Sequence, residues 1–175
     1  MAITEVLAPP FSAARYVVRP SLELVVLDPD EDAAGIGALF ANIEPWASYP
    51  IAGRDLTRFF ACVEPGAPRF KIRHGGLIAG AIAIRTNWLC GPYLQTFGLA
   101  PMVQSRGHGT AILSFIEQEA RANGDANLWV ATSDFNTDAQ RFYERFGFKR
   151  VAELDGLVRD ERTEYLYRKR LDMPG

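Results

Sequence analysis

Residues 91–124, "GPYLQTFGLAPMVQSRGHGTAILSFIEQEARANG", narrow the choice of folds more than any other stretch of this chain. An apolar run containing Gly98 leads through a polar connector into Ile112, Phe115, Ile116 and Ala120, which keep helical spacing. The order predicts a strand, a short loop and a helix closed by Gly124. Gly98 marks a bulge or a close backbone approach in that strand. Gly107 and Gly109 flank His108 where the helix begins. Each would cost about 1 kcal/mol relative to alanine inside a helix, so uncovered backbone is wanted there. The first turn of a helix carries unpaired N–H groups and the positive end of the macrodipole, which together make an anion site. Side chains at 107 and 109 would obstruct a phosphate, and Arg106 adds a charge that can meet it. A plain tight turn would use the same glycines, so context has to decide. Two other phosphate loops are excluded: there is no Gly-x-x-x-x-Gly-Lys-Ser/Thr, and the third glycine of a dinucleotide fingerprint is replaced by Ile112.

The flanking elements are legible from their periodicity. "LELVVL" reads as a strand, followed by a helix with Asp30 as N-cap candidate and Ile36, Leu39 and Phe40 as its buried stripe. Pro45 and Pro50 break that helix, and "GRDLTRFFACV" reads as a second one. Phe70 and Ile72 alternate with polar neighbours, "HGG" turns the chain, and "LIAGAIAIR" is apolar on both faces, as in a central strand. After the glycine loop and its helix come a strand, "NLWVAT", and a helix, "NTDAQRFYERFGF", with Asn136 as N-cap candidate and Gly147 as terminator. Two closing strands, roughly 149–154 and 163–169, complete a mixed sheet. Residues 1–20, rich in small residues and proline, read as an N-terminal extension, and 21–175 as one domain.

Composition removes several classes of function. A net charge of −2 gives no electrostatic reason to bind nucleic acid or an anionic membrane. No apolar run reaches the ~18 residues of a membrane span. Glu5 and the Pro9–Pro10 pair interrupt the stretch a secretion signal would keep apolar, so the expected compartment is cytoplasmic. With Cys62, Cys90, His74 and His108 as the whole inventory of both types, no zinc set can be assembled and no metal is expected.

Placed among these elements, "LAPMVQSRGHGTAILSFIE" resembles the acetyl-CoA motif of the GNAT superfamily of acyl-CoA-dependent N-acetyltransferases. That motif is Gln/Arg-x-x-Gly-x-Gly/Ala, met here by Gln104, Gly107 and Gly109. Some thirty residues on, "NTDAQRFYERFGF" resembles the second motif, an Asn, a small residue, then Phe/Leu-Tyr and Gly-Phe. The two motifs are jointly specific, and the resemblance in element order covers roughly residues 22–170. It implies an α/β (α+β) GNAT fold, a mixed, mostly antiparallel sheet of about six to seven strands flanked by about four helices. It implies acetyl-CoA as co-substrate, held by Phe97, Leu99, Gln104, Ser105, Arg106, Gly107, His108, Gly109, Thr110 and Asn136, with His108 contributing backbone at most.

The resemblance also implies a reaction. A lysine-like amine, with pKa ~10.4, is neutral in roughly one molecule in two thousand near pH 7, so its proton needs a base or a water path. The oxyanion is met by main-chain N–H from the strand ending near Leu99, and the same strand pairs with the pantetheine amides. Periodicity alone puts Tyr143 in the core, whereas the family's tyrosine at this position points toward the thioester sulfur. Full proton transfer from a phenol (~10) to a thiolate (~8.5) runs uphill by about 2 kcal/mol. Tyr143 is therefore expected to act on developing charge at sulfur. Many relatives carry a carboxylate on the strand before the phosphate loop, where this chain has Tyr93 and Gln95. Glu44 is the replacement candidate for the base, with a water path as the alternative.

The acceptor is expected to meet "NIEPWASYPIAGR" and "DGLVRDER". Trp46 and Tyr49 either wall an apolar amine or pack beneath a loop. The leading function is transfer of acetyl from acetyl-CoA to a primary amine of a small molecule, by direct attack in a ternary complex. A protein or peptide acceptor and a catalytically idle acyl-CoA binder are the alternatives. A homodimer is compatible with the sequence.

Overall fold

The two-sided apolar run beginning at Leu77 becomes the longest strand and lies in the interior of the sheet. The computed structural model describes residues 9–171. In chain order the strands are β1 (Arg15–Arg19), β2 (Leu22–Val26), β3 (Arg69–His74), β4 (Leu77–Trp88), β5 (Gly91–Leu99), β6 (Asn127–Ser133), β7 (Lys149–Asp155) and β8 (Thr163–Arg170). The helices are α1 (Pro29–Phe40), α2 (Gly53–Ala61), α3 (His108–Ala122) and α4 (Thr137–Arg145). One sheet runs β1-β2-β3-β4-β5-β6-β8-β7, antiparallel at every junction except β5–β6. This is the expected mixed architecture, with an additional edge strand. That strand, β1, comes from residues read in the sequence as an extension; it pairs with β2 from Arg15 opposite Val25 onward. The remainder of that reading at 1–8, and the domain's expected end at 172–175, lie outside the described residues.

Helix α1 is capped by Asp28, not by the expected Asp30. The Asp28 carboxylate accepts from the N–H groups of Asp30 and Glu31 at 2.9 and 3.1 Å. Pro29 then occupies the first helical position, where a missing N–H costs nothing, and this moves the cap two residues upstream.

The two faces of the sheet bury separate cores. Ile112, Leu113 and Ile116 of α3 and Tyr143 of α4 pack with Ile82, Ile84, Leu94 and Val130 on one face. Ile36 and Phe40 of α1 pack with Leu56 and Phe60 of α2 and with Ala81 on the other. Gly98 allows this second layer to approach: a Cβ there would lie 2.8 Å from the Phe40 ring and 2.9 Å from Ile43. The bulge falls elsewhere, at Gln95. Ala83 pairs with Thr96 and Ile84 with Leu94, leaving Gln95 unmatched on β5. A bulge bends its strand and increases the local twist. On its other side β5 pairs with β6 only through Tyr93 and Leu94, so the strands diverge at the bulge and the sheet opens between them.

Candidate active site

A cavity of about 820 Å³ occupies this split, within the range of small-ligand sites. Its α3 side is made largely of backbone. Gln104 donates its side-chain amide to the Leu99 carbonyl at 2.7 Å, fastening the loop to the end of β5. Ser105 and Gly107 both adopt left-handed conformations, φ 60° and 73°, and Gly107 is the N-cap of α3 without a side-chain cap. That conformation is why position 107 favours glycine. Position 109 has a different reason: a Cβ there would lie 3.0 Å from the Phe142 ring, so glycine lets α3 pack against α4. The uncapped first turn leaves its N–H groups to the cavity, which Gln104, Ser105, Gly107, Gly109 and Thr110 line.

Two expected residues of the loop do not line it. Arg106 is exposed, and its carbonyl accepts from Arg19 of β1 at 3.2 Å. His108 is 6% exposed, its Nδ1 bonded to the same guanidinium and its ring centroid 4.4 Å from that of His74, the rings tilted by 51°. Burial, then Arg19, His74 and Arg106, push its pKa below the usual histidine value. Its ring therefore braces the loop from behind.

Tyr143 reconciles the two expectations for it. It belongs to the core, edge-on to Phe148 at 5.5 Å, and it also lines the cavity. Burial, reinforced by Tyr93, pushes its phenol well above the ordinary tyrosine value, so it is a neutral hydrogen-bond donor at physiological pH. Asn136 is the cap of α4, its side-chain oxygen accepting from the Ala139 N–H at 3.3 Å, and it borders the cavity too. Phe97 and Leu99 line the cavity from the half of β5 that pairs with β4 but not with β6.

On the opposite face the walls are side chains. Trp46, on the 3₁₀ turn after α1, packs 4.5 Å from Phe40 and also lines the cavity. Glu44 is exposed at the same edge and accepts from Ser48 at 2.7 Å. The residue that the sequence reading missed is Glu164 on β8, which is 6% exposed. The Tyr49 hydroxyl donates to its Oε1 and the Ser133 hydroxyl to its Oε2, the latter at 3.2 Å. Tyr49 is thereby pushed up to about 12, by burial first and then by Glu164. Gln95 Oε1 and Thr132 Oγ1 are buried without a hydrogen-bond partner among the described residues, and both residues line the cavity. One signal in the sequence pointed to Glu164: strand alternation places it on the face of Leu166, away from Tyr165 and Tyr167.

A sequence model of the acetyltransferase (GNAT) family matches residues 22–148. The chain belongs to this family. A curated acetyltransferase of Agrobacterium fabrum is 28% identical over 95 residues, 54% of this chain and 64% of the relative. The chain thus spans less than two thirds of that relative's length. Among solved structures, the ribosomal-protein-S18-alanine N-acetyltransferase of Escherichia coli superposes with a TM-score of 0.69 at 18% identity, covering 88% of this chain and 96% of that one. A Bacillus anthracis structure in complex with acetyl coenzyme A superposes with a TM-score of 0.55 at 20% identity, over 62% of this chain and 65% of that one. These two likenesses concern the fold.

The residues of this GNAT chain fit the coenzyme. An uncapped helix N-terminus suits a diphosphate, and a strand edge released from its neighbour suits an extended amide arm. The described residues contain no cluster of His, Cys, Asp and Glu able to hold a metal ion, and no helix long and apolar enough to cross a membrane.

Proposed function

We propose that this chain transfers an acetyl group from acetyl-CoA to a primary amine of a small molecule, by direct attack in a ternary complex. The observation that carries the reading is the split between β5 and β6, where one cavity joins an uncapped helix N-terminus, a buried neutral phenol and three carboxylates. The coenzyme supplies an activated acetyl thioester. The first turn of α3, with Gln104, Ser105, Gly107, Gly109 and Thr110, holds its diphosphate. The free half of β5, through Phe97–Leu99, orients the pantetheine arm and offers main-chain N–H to the carbonyl oxygen. Arg106, exposed beside the loop, adds long-range attraction for the phosphates. Asn136, whose carboxamide oxygen is engaged as a cap, leaves its NH₂ for the arm.

Tyr143 donates a hydrogen bond where charge develops on sulfur. The upward push on its phenol widens the ~2 kcal/mol gap expected for full proton release, which favours donation over transfer. Glu44, exposed at the cavity edge, attracts a cationic acceptor. A small-molecule acceptor suits the walls, since Trp46, Tyr49, Leu157 and Val158 line that end. Calorimetry with acetyl-CoA and thiol release across an amine panel test the reading. Binding with amine-dependent release is expected. No binding ends the reading, and binding without release makes the chain an idle acyl-CoA binder.

A further inference from the structure

On the acetyltransferase reading, on which this inference rests, the proton of the acceptor amine was expected to go to Glu44 or to a water path, and the buried Glu164 is a further receiver. Glu164 lines the cavity with both carboxylate oxygens held by neutral hydroxyls, Tyr49 and Ser133, whose own oxygens lie 2.8 Å apart. Among the described residues it forms no salt bridge. A carboxylate removed from water is costly unless its charge is met.

Among the described residues no cation is hydrogen-bonded to it. Tyr93 of β5 and Tyr49 face it as neutral phenols, both pushed up by burial and by Glu164 itself. Asp134, beyond the end of β6, pairs with Arg162 at 3.5 Å. Among the cavity's ionisable lining, Glu44, Asp138 and Glu164 outnumber the one guanidinium, Arg145 at the end of α4.

Position matters as much as charge. Ser133 and Glu164 are directly paired across β6 and β8, on the face opposite Thr132 and Tyr165. Tyr165 packs against the core that holds Tyr143. The carboxylate therefore lies on the α1–α2 face and the phenol on the α3–α4 face, and both line one cavity through the split.

We infer that Glu164 is the receptor for the acceptor's ammonium and takes its proton, and that the acceptor is a cationic primary alkylamine with an apolar body. Trp46, Leu157 and Val158 supply apolar walls for that body. In the step, an ammonium N–H bond breaks and an O–H bond forms on Glu164. The freed nitrogen lone pair bonds to the acetyl carbon, and the C–S bond breaks with its electron pair on sulfur. A second nitrogen proton passes to the thiolate, and Glu164 returns its own to water. The products are the amide, the free thiol and one released proton.

Glu164→Gln keeps the shape and removes the charge. Expected is a fall in kcat/KM for the best alkylamine of about 100-fold, with acetyl-CoA affinity by calorimetry within about threefold of wild type. Binding of the amine to the coenzyme A complex should weaken about tenfold or more. Tyr49→Phe removes one hydroxyl that orients the carboxylate, so KM for the amine should rise about tenfold while acetyl-CoA affinity holds. A purely structural Tyr49 would weaken amine and acetyl-CoA alike. Unaltered kcat/KM in Glu164→Gln, or anilines acetylated as readily as alkylamines, overturns the assignment and leaves acetyl transfer standing. Wild-type protein that binds acetyl-CoA yet acetylates no amine removes the underlying reading and this assignment with it. Should Glu164→Gln fail to fold, Tyr49→Phe decides: a rise in amine KM alone supports the assignment, and no change, or an equal change for amine and acetyl-CoA, overturns it.

Discussion

The two sides of the split sheet are built from different materials. Facing α3 and α4, the cavity is bounded by a left-handed glycine, an uncapped helix turn and the released edge of β5. Facing α1 and α2, it is bounded by Trp46, packed on Phe40, and by Tyr49, Ser133 and Glu164, which are joined by hydrogen bonds. Backbone recognition depends on conformation and tolerates change in side chains. Side-chain recognition depends on which residues three separate elements bring together. The first arrangement suits a ligand common to many enzymes, the second a ligand particular to one.

That contrast can be broken at its strongest point first. Tyr143 is the one side chain on the α3–α4 side assigned to chemistry, and Tyr143→Phe should lower single-turnover acetyl transfer about 100-fold with acetyl-CoA affinity nearly unchanged. Near-wild-type transfer would mean that this side works through backbone alone. Gly107→Ala tests the backbone itself. A side chain in the left-handed region costs about 1–2 kcal/mol, to be read as a lower melting temperature. Acetyl-CoA affinity should fall with it while amine affinity holds; equal loss of both would merge the two sides.

Asn136→Ala should cost about 1 kcal/mol through the lost cap, a drop in melting temperature of about 2–4 °C. A matching loss of acetyl-CoA affinity would place the side chain on the pantetheine arm as well. The smallest effect is expected from His108. Its folded pKa is lowered, chiefly by burial, so below about pH 6.5 the unfolded chain binds the extra proton more readily. Stability should be complete above that value and decline as pH falls through it. Urea midpoints down to about pH 5.5 check this, and His108→Asn should flatten the slope.

Local rules made much of this legible. The apolar run of β4, the glycines around His108 and the cap at Asn136 each follow from periodicity, conformation or a single short hydrogen bond. The misses have physical causes. Pro29 moved the cap of α1 to Asp28 because a helix can begin at proline without losing a donor. Residues 15–19 looked like a loose arm because an edge strand alternates too weakly to stand out, yet β2 gave them a partner and Arg19 a post behind the loop. Gly109 was read as making room for phosphate, and the fold adds a second occupant that only tertiary packing could show, the Phe142 ring of the neighbouring helix.

The chain alone determined what depends on near neighbours: the order of strands and helices from β2 onward, the glycine-flanked start of α3, and the family whose motifs lie at 104–109 and 136–148. Tertiary structure decided where β5 leaves β6, that Glu164 is buried without a salt bridge among the described residues, and that a carboxylate and a phenol on opposite faces of the sheet share one cavity. The reason is range. Backbone conformation and capping are settled within a few residues, but Tyr49, Ser133 and Glu164 lie 84 and 115 positions apart from the first to the others, and only the folded sheet brings their oxygens within hydrogen-bond reach.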